Sequence, residues 1–91
     1  MEQEEIRNIV KEAFRKCYEI KEYKLVELLP SETCIEFAIV NKIDGCVATF
    51  LVGNHGMFRA SSQDNLLPHK YEIRKWLDFL ITVDSEIEDY A

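Results

Sequence analysis

The spacing of turn signals between residues 23 and 61 constrains the fold most. Turn-forming residues at 30–32, 41–45 and 53–56 separate short segments rich in β-branched and aromatic residues. Parallel strands need crossover connections of a dozen or more residues, and these gaps are too short to hold them. We therefore predict an antiparallel meander of three or four strands, at 23–29, 33–41, 46–52 and 57–61. Gly45 supplies the positive φ that the second turn requires.

A helix is predicted on each side of the meander. Residues 2–20 repeat apolar side chains with helical spacing, at Ile6, Ile9, Val10, Ala13, Phe14, Cys17 and Ile20. A second helix begins near Pro68 and runs into the eighties, with a buried stripe at Ile73, Trp76, Leu77, Leu80 and Ile87 and with Val83 close to it. The fold class is α+β: N-terminal helix, meander, C-terminal helix, both helices on one sheet face.

The apolar pattern also predicts a core and leaves one question about the sheet. The predicted core comprises Ile6, Val10, Phe14, Ile35, Phe37, Phe50, Trp76, Leu77 and Leu80. The third strand is apolar on both faces: Cys46, Ala48, Phe50 and Val52 on one, Val47 and Leu51 on the other. Either the C-terminal segment or another copy of the chain covers the second face in part, or these are the scattered apolar residues common on any surface.

Length and composition predict one domain without a membrane anchor. The chain has 91 residues, 47% of them hydrophobic, and a formal net charge of −6. We expect a single domain over 1–91, with 84–91 as a candidate frayed acidic tail. The acidic start of the chain is unlike a secretory signal, so we expect a cytoplasmic protein. Cys17, Cys34 and Cys46 are interpreted as reduced residues in or near the core.

No motif for catalysis or cofactor binding emerges. His55 and His69 lack the spacing of a zinc site. Ser61, Ser62 and Asp64 lie near His69 but without a nucleophile elbow, and the Gly53-x-x-Gly56 turn lacks the lysine of a phosphate-binding loop. We therefore expect no enzyme, no catalytic residue, no metal and no cofactor.

Direct binding to nucleic acid is disfavoured by charge. The helix–strands–helix order is similar to that of double-stranded-RNA-binding domains, which need lysine clusters to meet phosphates. The last helix begins with a small basic patch, formed by His69, Lys70, Arg74 and Lys75, and Glu72 interrupts it. We therefore expect a protein partner and not a nucleic acid.

The charge layout of the last helix is the most informative feature for function. No basic residue follows Lys75, whereas five acidic residues do: Asp78, Asp84, Glu86, Glu88 and Asp89. Acidic groups oppose the negative end of the helix dipole, so local stability favours lysine or arginine there. One interpretation is that these acidic residues only keep the end of the chain solvated and the protein soluble. The other is a partner-binding surface formed by Asp84, Glu86, Glu88 and Asp89, extended by Glu2, Glu4 and Glu5 if the two helices pack antiparallel.

Two functional hypotheses follow. The first is a non-enzymatic protein-binding regulator or inhibitor that competes, as a nucleic-acid mimic, for a basic host protein. In being short, acidic and free of motifs, the chain resembles small phage-encoded inhibitors of host defence enzymes. The alternative is a small homodimeric chaperone or adaptor, similar to secretion chaperones, that binds client segments through a sheet edge or an apolar sheet face.

Overall fold

The predicted fold class is confirmed by a computed structural model, which describes residues 2–28, 33–43, 45–53, 56–62 and 70–90. All neighbouring strands are antiparallel and follow the order β1-β2-β3-β4, so the fourth strand belongs to the meander. The elements are α1 (Gln3–Cys17), β1 (Tyr23–Glu27), β2 (Cys34–Asn41), β3 (Gly45–Gly53), β4 (Gly56–Ser62) and α2 (Lys70–Tyr90). The hairpin between β2 and β3 places Gly45 at φ 85°, as the turn predicts.

Helix α1 is amphipathic and charge-matched to its own dipole. Its buried side is formed by residues that recur with helical spacing, and acidic residues occupy its first turn and basic residues its last. It ends earlier than predicted, because Tyr18 adopts an extended backbone while its N–H still bonds the carbonyl of Phe14 at 2.8 Å. Ile20, predicted to continue the buried stripe, therefore lies beyond the helix and is 68% exposed.

Both helices pack on one face of the sheet. The β2–β3 register pairs Ile35 with Val52, Phe37 with Phe50 and Ile39 with Ala48, and all six side chains belong to the core. The same cluster contains side chains of both helices: Ile6, Ile9, Val10, Ala13 and Phe14 from α1, and Trp76, Phe79, Val83 and Ile87 from α2. The core is therefore a single layer between the sheet and the two helices.

A β-bulge corrects the predicted faces of the third strand. The register shifts between Ile39 and Val40, so Ala48 lies opposite Ile39 while Cys46 lies opposite Val40. Directly paired residues share a face of an antiparallel sheet, and an extra residue in one strand reverses the alternation beyond it. Cys46 therefore shares the outer face with Val40, and not the core face with Ala48 as the simple alternation predicts.

The rotation of α2 differs from the predicted one. Phe79 is fully buried, Leu80 packs against the core in part, and Leu77 is 51% exposed, so the prediction of Leu77 as a core residue is wrong. Five of the six residues from Trp76 to Ile81 are apolar, and such a run does not define one helix face. Contact with the sheet decides the rotation: the ring centroid of Phe79 lies 5.0 Å from that of Phe50.

The rotation of α2 predicts very different stability effects for two nearby apolar residues, Phe79 and Leu77. Phe79→Ala leaves a cavity beside Phe50 and Tyr18, and we expect it to lower the free energy of unfolding by about 3–5 kcal/mol. Leu77→Ala removes an exposed side chain and should change stability by less than about 0.5 kcal/mol. Urea denaturation of dilute protein, followed by circular dichroism, measures both. Equal losses in the two variants would contradict this placement.

Candidate protein-binding surface

The two helices lie antiparallel. Tyr18 contacts Phe79, with ring centroids 5.9 Å apart. The Cys17 Sγ lies 3.8 Å from the Thr82 hydroxyl, and the Lys16 Nζ lies 3.6 Å from a carboxylate oxygen of Glu86. As the contacting residue of α1 comes earlier in its helix, its partner on α2 comes later, so the two helices run in opposite directions. The start of α1 and the end of α2 consequently point the same way along the helix layer.

The two predicted acidic sets lie at these helix ends, but Glu86 pairs with Lys16 in the last turn of α1, so the formation of one surface by both sets stays a prediction. Glu2 precedes α1, and Glu4 and Glu5 lie in its first turn. The other set, Asp84, Glu86, Glu88 and Asp89, lies within the last two turns of α2. Most of the seven side chains are exposed, and those of Glu5 and Glu86 are half-buried. We call these seven residues the acidic end; their role in binding stays a prediction.

Basic neighbours neutralise only part of the acidic end. Arg7 forms ion pairs with Glu4, at 3.3 Å, and with Glu27 of β1. The hydrogen bond that Arg7 donates to Glu27 is the main cause that raises the pKa of the guanidinium. Lys16 pairs with Glu86. Within the described residues no ion pair involves the other glutamates of the acidic end or Asp89, so the end keeps an excess of negative charge.

The end of α2 departs from the pattern of α1. The last turn of α1 contains Arg15 and Lys16, whereas the last turn of α2 contains no basic residue. Each exposed acidic group in such a turn costs roughly 0.3–1 kcal/mol against the helix dipole. The acidic residues of α2 therefore do not serve the stability of their own helix.

A second polar feature, missed by sequence reasoning, is a shallow cleft of about 300 Å³ between α1 and β1. Lys11 and Arg15 of α1 and Lys24 of β1 line it, beside the aromatic side chains of Phe14 and Tyr23. Lys11 and Arg15 lie one turn apart on α1, and only the position of α1 beside β1 brings Lys24 to them. The cleft therefore places three cations beside two aromatic rings, although Arg15 also pairs with Glu12 at 3.4 Å.

The outer face of the sheet lacks a cover among the described elements. Val26, Val40, Cys46 and Leu51 are half-buried there, and Ala38 is buried among its strand neighbours. Helix α2 packs on the opposite face, so the expectation that the C-terminal segment covers this face does not hold for α2. The sequence also predicts Val47 on this face, but its side chain is outside the described ones.

The basic cluster at the start of α2 is only partly described. Arg74 is exposed, whereas Lys75 turns inward and its ammonium lies 4.9 Å from the ring centroid of Tyr23. Such a contact is a cation–π interaction. His69, together with His55 and the polar segment 63–65, lies outside the described residues. Because Lys75 makes this contact within the fold, it is less available to bind phosphate. The basic cluster is therefore a weaker candidate for a phosphate-binding surface.

The comparisons with known proteins give no relative. No protein-family model, no curated protein and no solved structure matches the chain. Among the described residues, no helix is long and apolar enough to span a membrane, and no group of three or more His, Cys, Asp or Glu side chains is placed to hold a metal ion. The function must accordingly be inferred from the chemistry of the surface itself.

The position of the acidic residues predicts that lysine at the end of α2 stabilises the fold. The double variant Glu88→Lys, Asp89→Lys should raise the free energy of unfolding by roughly 0.5–2 kcal/mol at low salt, because cations favour a helix C-terminus. The gain should shrink in high salt, which screens exposed charges. Urea denaturation at two ionic strengths measures it. A loss of stability would show that the fold itself needs these carboxylates.

Proposed function

We propose that the protein is a non-enzymatic regulator or inhibitor that binds a basic protein through the acidic end. The observation that supports this proposal most is the accumulation of acidic residues in the last two turns of α2, against the preference of the dipole of that helix. Because these acidic residues lower the stability of their own helix, stability does not explain their presence. Attraction of a basic partner does. Complementary charge raises association rates and disfavours wrong partners.

The form of inhibition that fits this surface is competition with nucleic acid. Carboxylates one helical turn apart, such as those of Asp84 and Glu88, recur about every 6 Å along a rigid helix. A row of fixed negative charges can occupy lysines and arginines that otherwise contact phosphates. The partner class is therefore a protein with a basic nucleic-acid-binding groove, and a cytoplasmic setting is part of this proposal.

The outer face of the sheet favours a second candidate, a small homodimeric chaperone or adaptor. The apolar residues Val26, Val40 and Leu51 are half-buried on that face and lack a covering element among the described residues. An apolar sheet face of this kind suits a hydrophobic client segment or a second copy. We rank it second because these side chains are only partly exposed.

Capture of the tagged protein's partners at two ionic strengths tests the first proposal against the second. The native cell lysate is treated with nuclease, and bound proteins are identified by mass spectrometry. An acidic-end complex should recover a basic or nucleic-acid-binding protein at low salt and lose it at high salt. A partner held by apolar contacts should instead remain bound at high salt.

Charge reversal then tests whether the acidic end is the binding surface. The triple variant Glu86→Lys, Glu88→Lys, Asp89→Lys should abolish binding of the captured partner while circular dichroism stays unchanged. The matched control is Glu12→Lys, Glu19→Lys, Glu22→Lys, which changes the net charge equally at exposed positions outside the acidic end. Isothermal titration calorimetry compares the two. Undiminished binding by the first variant, or equal losses in both, would contradict a local acidic surface.

A further inference from the structure

Helix α2 presents an apolar stripe to solvent on the side away from α1. Leu77 is 51% exposed and Ile81, one turn later, is 67% exposed. The sheet side of the helix is occupied by Trp76, Phe79, Val83 and Ile87, and the side facing α1 by Thr82 and Glu86. At 100° per residue, Leu77 and Ile81 lie on a third side that no described element covers.

Charged residues of opposite sign flank this stripe. Arg74 lies three residues before Leu77, and Asp84 lies three residues after Ile81; both are exposed. The spacing 74, 77, 81, 84 alternates three and four, which is the pattern of residues along the seam of paired helices. We call these four residues the α2 seam. Read from its start, the seam is basic, apolar, apolar, acidic.

We propose that the α2 seam binds the α2 seam of a second copy of this chain. The two helices are antiparallel, and the two-fold axis passes the seam midway between Leu77 and Ile81. In that arrangement Leu77 packs against Ile81 of the second copy, and Ile81 against Leu77. Arg74 faces Asp84 of the second copy, and the same ion pair recurs on the other side of the axis. A two-fold interface requires such self-complementarity, in which each contact appears twice.

The order of charges along the α2 seam favours a second copy as the partner and an antiparallel direction of pairing. A parallel pairing of the same helices would set Arg74 against Arg74 and Asp84 against Asp84, and like charges at facing positions are destabilising. An antiparallel pairing replaces both repulsions with attractions and also opposes the two helix dipoles favourably. The apolar pair at the centre of the seam is then shielded from water by the two ion pairs at its ends.

The predicted dimer is weak and reversible. Two apolar side chains and two exposed ion pairs per dimer form a surface below the roughly 1,200–2,000 Å² of stable protein interfaces. Exposed ion pairs contribute little individually, so their main effect is on register and direction. This inference goes beyond the proposed function, and its test uses the purified protein alone, so a failure to capture a partner leaves it unaffected.

Sedimentation equilibrium of the full chain from about 10 μM to about 1 mM, the range in which weak interfaces assemble, tests the dimer. Wild-type protein should show a monomer–dimer equilibrium. Leu77→Ser with Ile81→Ser should abolish it, because the apolar centre of the seam is lost. The control Ile43→Ser removes an isoleucine that is 92% exposed in the β2–β3 hairpin, and it should leave the equilibrium unchanged.

Reversal of single charges tests the direction of pairing. Arg74→Asp alone and Asp84→Arg alone each place like charges at both ends of the seam, so each should weaken self-association about tenfold or more. An equimolar mixture of the two variants restores both ion pairs within a heterodimer, which should form at wild-type concentrations. Circular dichroism confirms that each variant is folded.

Three results would overturn the proposal. The first is a wild-type chain that is monomeric up to about 1 mM. The second is a dimer that survives loss of Leu77 and Ile81, which places the interface elsewhere. The third is a mixture of the two charge variants that associates no better than either variant alone, which excludes the antiparallel register.

Discussion

The contact of Phe79 with the sheet determines how this protein presents its surface. Its ring lies 5.0 Å from that of Phe50 and 5.9 Å from that of Tyr18, so it joins α2 to the centre of the sheet and to the end of α1. Edge-to-face aromatic contacts have defined geometry in addition to their buried area. Because an α-helix is rigid, fixing one residue fixes the direction of all the others.

Two surface properties follow from that single rotation. With Phe79 directed inward, the seam at Leu77 and Ile81 faces solvent and can meet a second copy. The antiparallel packing of the helices also directs the acidic end of α2 and the acidic start of α1 the same way. The proposed partner surface and the proposed dimer seam thus overlap in Asp84, and occupancy of one is expected to influence the other.

The sequence predicts the elements well because their signals are local. Turn residues and alternation define the meander, and helical spacing defines α1. The wrong predictions concern residues whose placement depends on tertiary contacts. The pattern predicts Leu77 inside because five of the six residues in the run Trp76–Ile81 are apolar, and it predicts Cys46 on the core face because a bulge leaves no mark in composition. The cleft at Lys11 and Lys24 was missed for the same reason, since its residues lie on separate elements.

The measurement that tests the rotation of α2 most directly is a nuclear Overhauser experiment on protein with labelled leucine methyl and aromatic protons. The account predicts cross-peaks from the Phe79 ring to the rings of Phe50 and Tyr18, and none from the Leu77 methyl groups to Phe50 or Phe37. Cross-peaks from the Leu77 methyl groups to either ring would contradict it, because α2 would then be rotated and the α2 seam would lose its basis.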